Sequence, residues 1–94
     1  MTPINIKDIK KGQVILEQDS LGYAITRAVE DAQRVDRDAY HGYEFKGRVL
    51  KITSRFGADL DSPDDITYFT ADDAGHYASE FHLLSENDEN YLLN

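Results

Sequence analysis

The stretch YAITRAVEDAQRVDRDAY, residues 23–40, decides the fold, because it carries two periodicities at once. As a strand, Tyr23, Ile25, Arg27 and Val29 alternate with Ala24, Thr26 and Ala28, the period of a pleated chain. As a helix, Leu21, Ile25, Ala28, Ala32, Val35 and Ala39 recur at spacings of four and three. Glu30→Arg34 would then form a favourably ordered i,i+4 pair, with His41-Gly42 as its end. Half of that helical stripe is alanine, which buries little area. The strand reading is therefore preferred: a strand to about Val29, followed by a charged excursion. It makes the protein mainly β. The helical reading would instead lay one helix, over about 24–39, on a four-stranded antiparallel sheet of an α+β domain.

Upstream, Lys10-Lys11-Gly12 forms a turn before QVILEQ (13–18), whose apolar run Val14-Ile15-Leu16 reads as a buried strand. Asp19-Ser20-Leu21-Gly22 has turn chemistry. Downstream, YEFKGRVLKITSR (43–55) is the clearest strand. Tyr43, Phe45, Gly47 and Val49 face one way, and Glu44, Lys46 and Arg48 the other. The phase slips at Val49-Leu50, where two adjacent apolar residues predict a β-bulge or sharp bend. FGADLDSPDD (56–65) is a loop, ITYFT (66–70) a short strand, ADDAG (71–75) a turn, and residues 79–84 a last strand. SENDENYLLN (85–94) is a polar tail free to be flexible, ending in Tyr91-Leu92-Leu93. The sum is about five short strands in a small, strongly curved antiparallel sheet, or an SH3-like or OB-like barrel.

Ninety-four residues make one small acidic domain, 1–94, that must bury its apolar surface efficiently. Hydrophobic residues are 40% of the chain, with six Tyr and four Phe, enough for a core and against disorder. The absence of cysteine removes disulfides, thiolate zinc sites and cysteine nucleophiles, and fits a reducing compartment. MTPINIKDIKKG lacks the apolar core of a signal peptide, and no run approaches a membrane span. A cytoplasmic protein without membrane contact is the expectation.

Charge is the strongest functional signal. The net charge of −8 is divided unevenly: residues 1–55 hold all ten bases against eight acids, while Phe56 onward holds ten acids and no base. Such asymmetry speaks about partners rather than fold.

The recognised chemical motifs are missing. DLDSPDD (59–65) offers four carboxylates to a hard cation, but Asp64 and Thr70 stand where the EF-hand pattern needs glycine and glutamate. His76, Glu80 and His82 would share a face if extended, without a zinc spacing signature. No nucleophile elbow, phosphate loop or dinucleotide fingerprint occurs. No enzyme, metal site or cofactor is expected. Lys46, Arg48 and Lys51, flanked by Arg27, Arg34, Arg37 and Arg55, could compose a nucleic-acid face with Tyr40, Tyr43 and Phe45. Glu30, Asp31, Asp36, Asp38 and Glu44 interleave with them, so direct nucleic-acid binding is not expected.

The acids fit the opposite role. Asp59, Asp61, Asp64, Asp65, Asp72, Asp73, Glu86, Asp88 and Glu89 on a folded scaffold can stand in for phosphates before a basic partner surface. Tyr68, Phe69, Tyr77 and Tyr91 are candidate apolar anchors beside them. In size, charge and lack of cysteine the chain resembles the small acidic inhibitors with which bacteriophages block host nucleic-acid enzymes, restriction and CRISPR complexes included; no motif carries that likeness. The resemblance implies a non-catalytic nucleic-acid mimic bound to a nucleic-acid-binding protein or complex. The alternative is a structural or adaptor barrel that engages a protein through its sheet edge and aromatics. A homodimer, which would double the acidic surface, is compatible with either.

Overall fold

The computed structural model describes residues 1–19, 22–37, 40–53, 64–71 and 80–93. It contains β1 (Thr2–Pro3), a 3₁₀ turn (Ile6–Asp8), β2 (Val14–Asp19), β3 (Gly22–Ala28), β4 (Gln33–Arg37) and β5 (Tyr40–Ile52). β6 (Ile66–Ala71), β7 (Glu80–Leu83) and one helix, α1 (Glu86–Leu93), complete it. The strands form one antiparallel sheet in the order β1-β7-β2-β3-β5-β4, with β6 also paired to β5. The mainly β reading is correct, and the helix over 24–39 is not formed.

The reason lies in the pairing. β3 and β4 lie end to end along the same edge of β5, opposite residues 47–52 and 40–44 respectively. β6 occupies the other edge, opposite residues 43–48. Residues 22–37 are thus one long strand with an interruption at 29–32, and the charged excursion is its outer end. β5 provides a 13-residue template for it. Ladder bonds and cross-strand burial along that template outweigh a helix whose buried stripe is half alanine.

The bulge falls where the apolar pair predicts it. Ile25 is opposite Lys51 and Thr26 opposite Val49, so Leu50 is the extra residue. Val49 stays on the face of Phe45, while Leu50 turns to the opposite face and packs beside Val14, Leu16, Ile25 and Leu84.

The sheet is strongly curled. Phe81 on β7 and Phe69 on β6 are four strand steps apart in the pairing order, about 19 Å if the sheet were flat. Their ring centroids are 5.8 Å apart. Phe45 completes the trio, stacked on Phe69 at 5.0 Å and edge-on to Phe81 at 6.1 Å. Ile6, the first residue of the 3₁₀ turn, and Ile9, just after it, plug this inner face together with Ile15 and Ala28. Asn5 caps the turn, its side chain accepting from the Lys7 amide at 3.0 Å. The result is a curled half-barrel.

The outer face at β2 and β3 is also covered. Val14 and Leu16 point to it, whereas Ile15 points inward, which is why the three form an uninterrupted apolar run. Leu92 and Leu93 of α1 pack over this second cluster. The terminal Tyr91-Leu92-Leu93 segment therefore docks its two leucines on the domain and leaves Tyr91 84% exposed.

Candidate partner-binding surface

Of the nine acids singled out from the sequence, five are placed: Asp64, Asp65, Glu86, Asp88 and Glu89. Asp59, Asp61, Asp72 and Asp73 lie outside the described residues. The five fall in two groups. Asp64 and Asp65 lead into β6, and the other three occupy the first turn of α1.

At β6 the backbone turns sharply, with Asp64 at φ 74°. The Asp64 amide donates to the Val49 carbonyl at 2.8 Å, and its own carbonyl accepts from Arg48 Nη1 at 3.1 Å. Both aspartates are surface residues. In α1 the acids divide by task. Ser85 and Asp88 form a reciprocal cap: the Ser85 amide donates to Asp88 Oδ2 at 3.0 Å, and the Asp88 amide donates to Ser85 Oγ at 3.2 Å. The ammonium of Met1 also lies 3.0 Å from Asp88 Oδ2. The Ser85 amide, then the ammonium and the Ser85 hydroxyl, hold the Asp88 carboxyl below its ordinary value. Glu89 pairs with Arg27 at 3.3 Å across to β3. Asp88 and Glu89 therefore position the helix, whereas Glu86 is exposed on its surface.

The bases of β3, β4 and β5 lie beside both acidic groups and are largely engaged at home. Arg27 and Arg48 stand directly opposite each other on the outer face. Arg27 also reaches the Gly12 carbonyl at 3.3 Å. Lys51 Nζ donates to the Leu92 carbonyl at 2.8 Å, placing a cation at the C-terminal end of α1. Lys46 lies 3.6 Å from Glu30, and Arg34 lies 3.2 Å from Asp36. Asp36 accepts a further bond from His41 Nδ1 at 2.9 Å. His41 first, and Arg34 second, lower the Asp36 pKa. Arg27, Arg34 and Lys46 are thus each paired with a carboxylate.

The candidate anchors separate clearly. Tyr68 is 60% exposed on β6, with Lys46 Nζ 5.5 Å above its ring, whereas Phe69 belongs to the inner aromatic trio. Tyr77 lies outside the described residues. Ile66, 40% exposed, joins Tyr68 on the outer face of β6; sequence reasoning missed it, although its spacing of two from Tyr68 was the signal. Of the histidine–glutamate trio, His76 lies outside the described residues. Glu80 is exposed and His82 half-buried on β7. Among the described residues no cluster of three metal-ligating side chains occurs, and no helix is long and apolar enough to cross a membrane.

No protein-family model, curated protein or solved structure matches this chain. Function must be argued from the surface itself.

Proposed function

We propose that this is a cytoplasmic, non-catalytic binding protein whose acid-rich half occupies the basic surface of a nucleic-acid-binding partner, as an inhibitor of the nucleic-acid-mimic kind. The carrying observation is the run from Phe56 onward with ten acids and no base. The placed acids that do not hold α1 in position, Asp64, Asp65 and Glu86, are on the surface. Charges carried on a folded scaffold cost less entropy on binding than those of a free chain. The likeness to phage inhibitors of defence enzymes points to the same class of partner.

The test neutralises Asp59, Asp61, Asp64 and Asp65 together to asparagine. The expected result is loss of capture of a nucleic-acid-binding protein from a cytoplasmic extract, with an unchanged circular dichroism spectrum. In the native chain, capture should weaken steeply with salt and be competed by DNA or RNA. Unchanged capture by the fourfold variant overturns the reading.

A second reading, an adaptor that binds through its sheet edge and aromatics, draws support from the exposure of Ile66 and Tyr68 on β6. It predicts a complex that high salt barely weakens and that Tyr68→Ala impairs.

A further inference from the structure

We propose that His41, on the β4–β5 hairpin, is a phosphoryl-acceptor site, whose Nε2 takes a phosphoryl group from an N–P donor of the phosphoramidate class. The inference goes beyond the binding reading above and uses none of its residues.

The strand register builds the site. Asp36 stands directly opposite His41 across the hairpin. The Val29 amide donates to the Lys46 carbonyl, so Lys46 turns its main chain toward the edge of β5 that β3 and β4 share. By alternation Glu44 and Gly42 do the same, and His41 does not. Asp36 and His41 are therefore a non-hydrogen-bonded pair, the kind whose side chains stand closest. His41 Nδ1 lies 2.9 Å from Asp36 Oδ1.

That contact sets the chemistry of the ring. An ionised carboxylate only accepts, so Nδ1 is the donor, and in the neutral ring the lone pair is left on Nε2. Ionisation of Asp36 is favoured by its neighbours: His41 first, then Arg34, hold its carboxyl below the ordinary value. Nε2 has no hydrogen-bond partner among the described residues.

In the transfer, Nε2 attacks phosphorus and forms a new N–P bond. The donor's N–P bond breaks, and its protonated nitrogen leaves as the neutral amine. One N–P bond replaces another, so no further reactant is needed. The ring gains a positive charge, which faces the Asp36 carboxylate. Arg34 Nη2, 3.2 Å from the same Oδ1, brings a guanidinium into the cluster that receives the phosphoryl anion.

Exposure decides between acceptor and catalyst. The Asp36 and His41 side chains are each 57% exposed. Water is not excluded from the pair, so it is not built to process a bound substrate. An acceptor must instead be open to an incoming donor.

The test incubates the full chain with potassium phosphoramidate and follows its three histidines, His41, His76 and His82, by phosphorus and ring-nitrogen NMR. His41 should be phosphorylated first and at Nε2, about tenfold faster than His82, which lacks a carboxylate partner among the described residues. Asp36→Ala should slow the reaction at His41 about tenfold and remove the nitrogen signature of a ring protonated at Nδ1, with the backbone spectrum otherwise unchanged. Reaction at His41 no faster than at His82, or at Nδ1 rather than Nε2, overturns the proposal. So does an Asp36→Ala chain that loses the Nδ1–H signature yet reacts at the native rate.

Discussion

The two faces of the sheet are covered by different means. The inner face is closed by the sheet itself: Phe45, Phe69 and Phe81 from three strands meet ring to ring, with Ile6 and Ile9 fully buried among them. The outer face is closed by a separate piece, an eight-residue helix with two leucines and a set of polar clasps at its ends. Burial of aromatic area is worth far more than exposed ion pairs, so the inner face should carry the fold and the outer face only its finish. The difference also separates surfaces by use. Asp88 and Glu89 hold the helix, whereas Asp64 and Asp65, which lead into β6, are exposed on the surface.

The sharpest way to break the inner face is Phe45→Ala. Phe45 is fully buried, and both other rings of the trio pack on it. Its truncation should cost about 3–5 kcal/mol. That is a large part of the stability of a domain this size. Chemical denaturation should show a much lower midpoint, or a chain already unfolded in buffer.

Gly47→Ala tests the same face by overfilling it. A Cβ on Gly47 would stand 2.7 Å from both Cβ and Oγ1 of Thr26. The backbone must shift, at a cost of about 1–3 kcal/mol. Thr26 is 1% exposed, and its hydroxyl is buried without a hydrogen-bond partner among the described residues. Combining Gly47→Ala with Thr26→Gly, which removes both colliding atoms, should return part of the loss, measurable as coupling in a double-mutant cycle. Additive effects would contradict the collision.

The inner face was far more legible in the sequence than the outer. Alternation over Tyr43, Phe45, Gly47 and Val49 named the inward set of β5, and the Val49-Leu50 pair located the bulge. Curvature followed from these, because a bulged long strand bends the sheet around it. What escaped was non-local or very short. β1 has two residues and exists only because β7 offers Thr2 and Pro3 a ladder. β4 has just one buried apolar residue, Val35, so its pairing depends on the β5 template rather than on its own pattern. In the sequence α1 reads as a tail, since an eight-residue polar helix does not persist alone. Its local signature was nevertheless present in Ser85-Glu86-Asn87-Asp88, the spacing of a capping box. The candidate surface divided in the same way: charge segregation was visible in composition, whereas the engagement of Asp88 and Glu89 needed Ser85, Met1 and Arg27 brought close by the fold.

The smallest expected effect concerns the outer face, and it sharpens the comparison because it should leave the inner face untouched. Ser85→Ala removes one half of the reciprocal cap and should cost about 1 kcal/mol. Acid should undo the other half. The folded Asp88 carboxyl titrates below its ordinary 3.8, so the stabilisation it supplies is complete above that value. It is lost as pH falls through the lower, folded pKa, because the protonated acid no longer attracts the Met1 ammonium and accepts more weakly from Ser85. In an NMR titration into that acid range, the Leu92 and Leu93 methyl signals should move before those of the Phe45–Phe69–Phe81 rings. Asp88→Asn should flatten the methyl response while sparing the rings. Asp36, also lowered, titrates in the same direction at the β4–β5 hairpin, so its response is read separately from the His41 ring signals. If rings and methyls move together at every pH, the helix and the half-barrel form a single cooperative unit, and the division between the two faces fails.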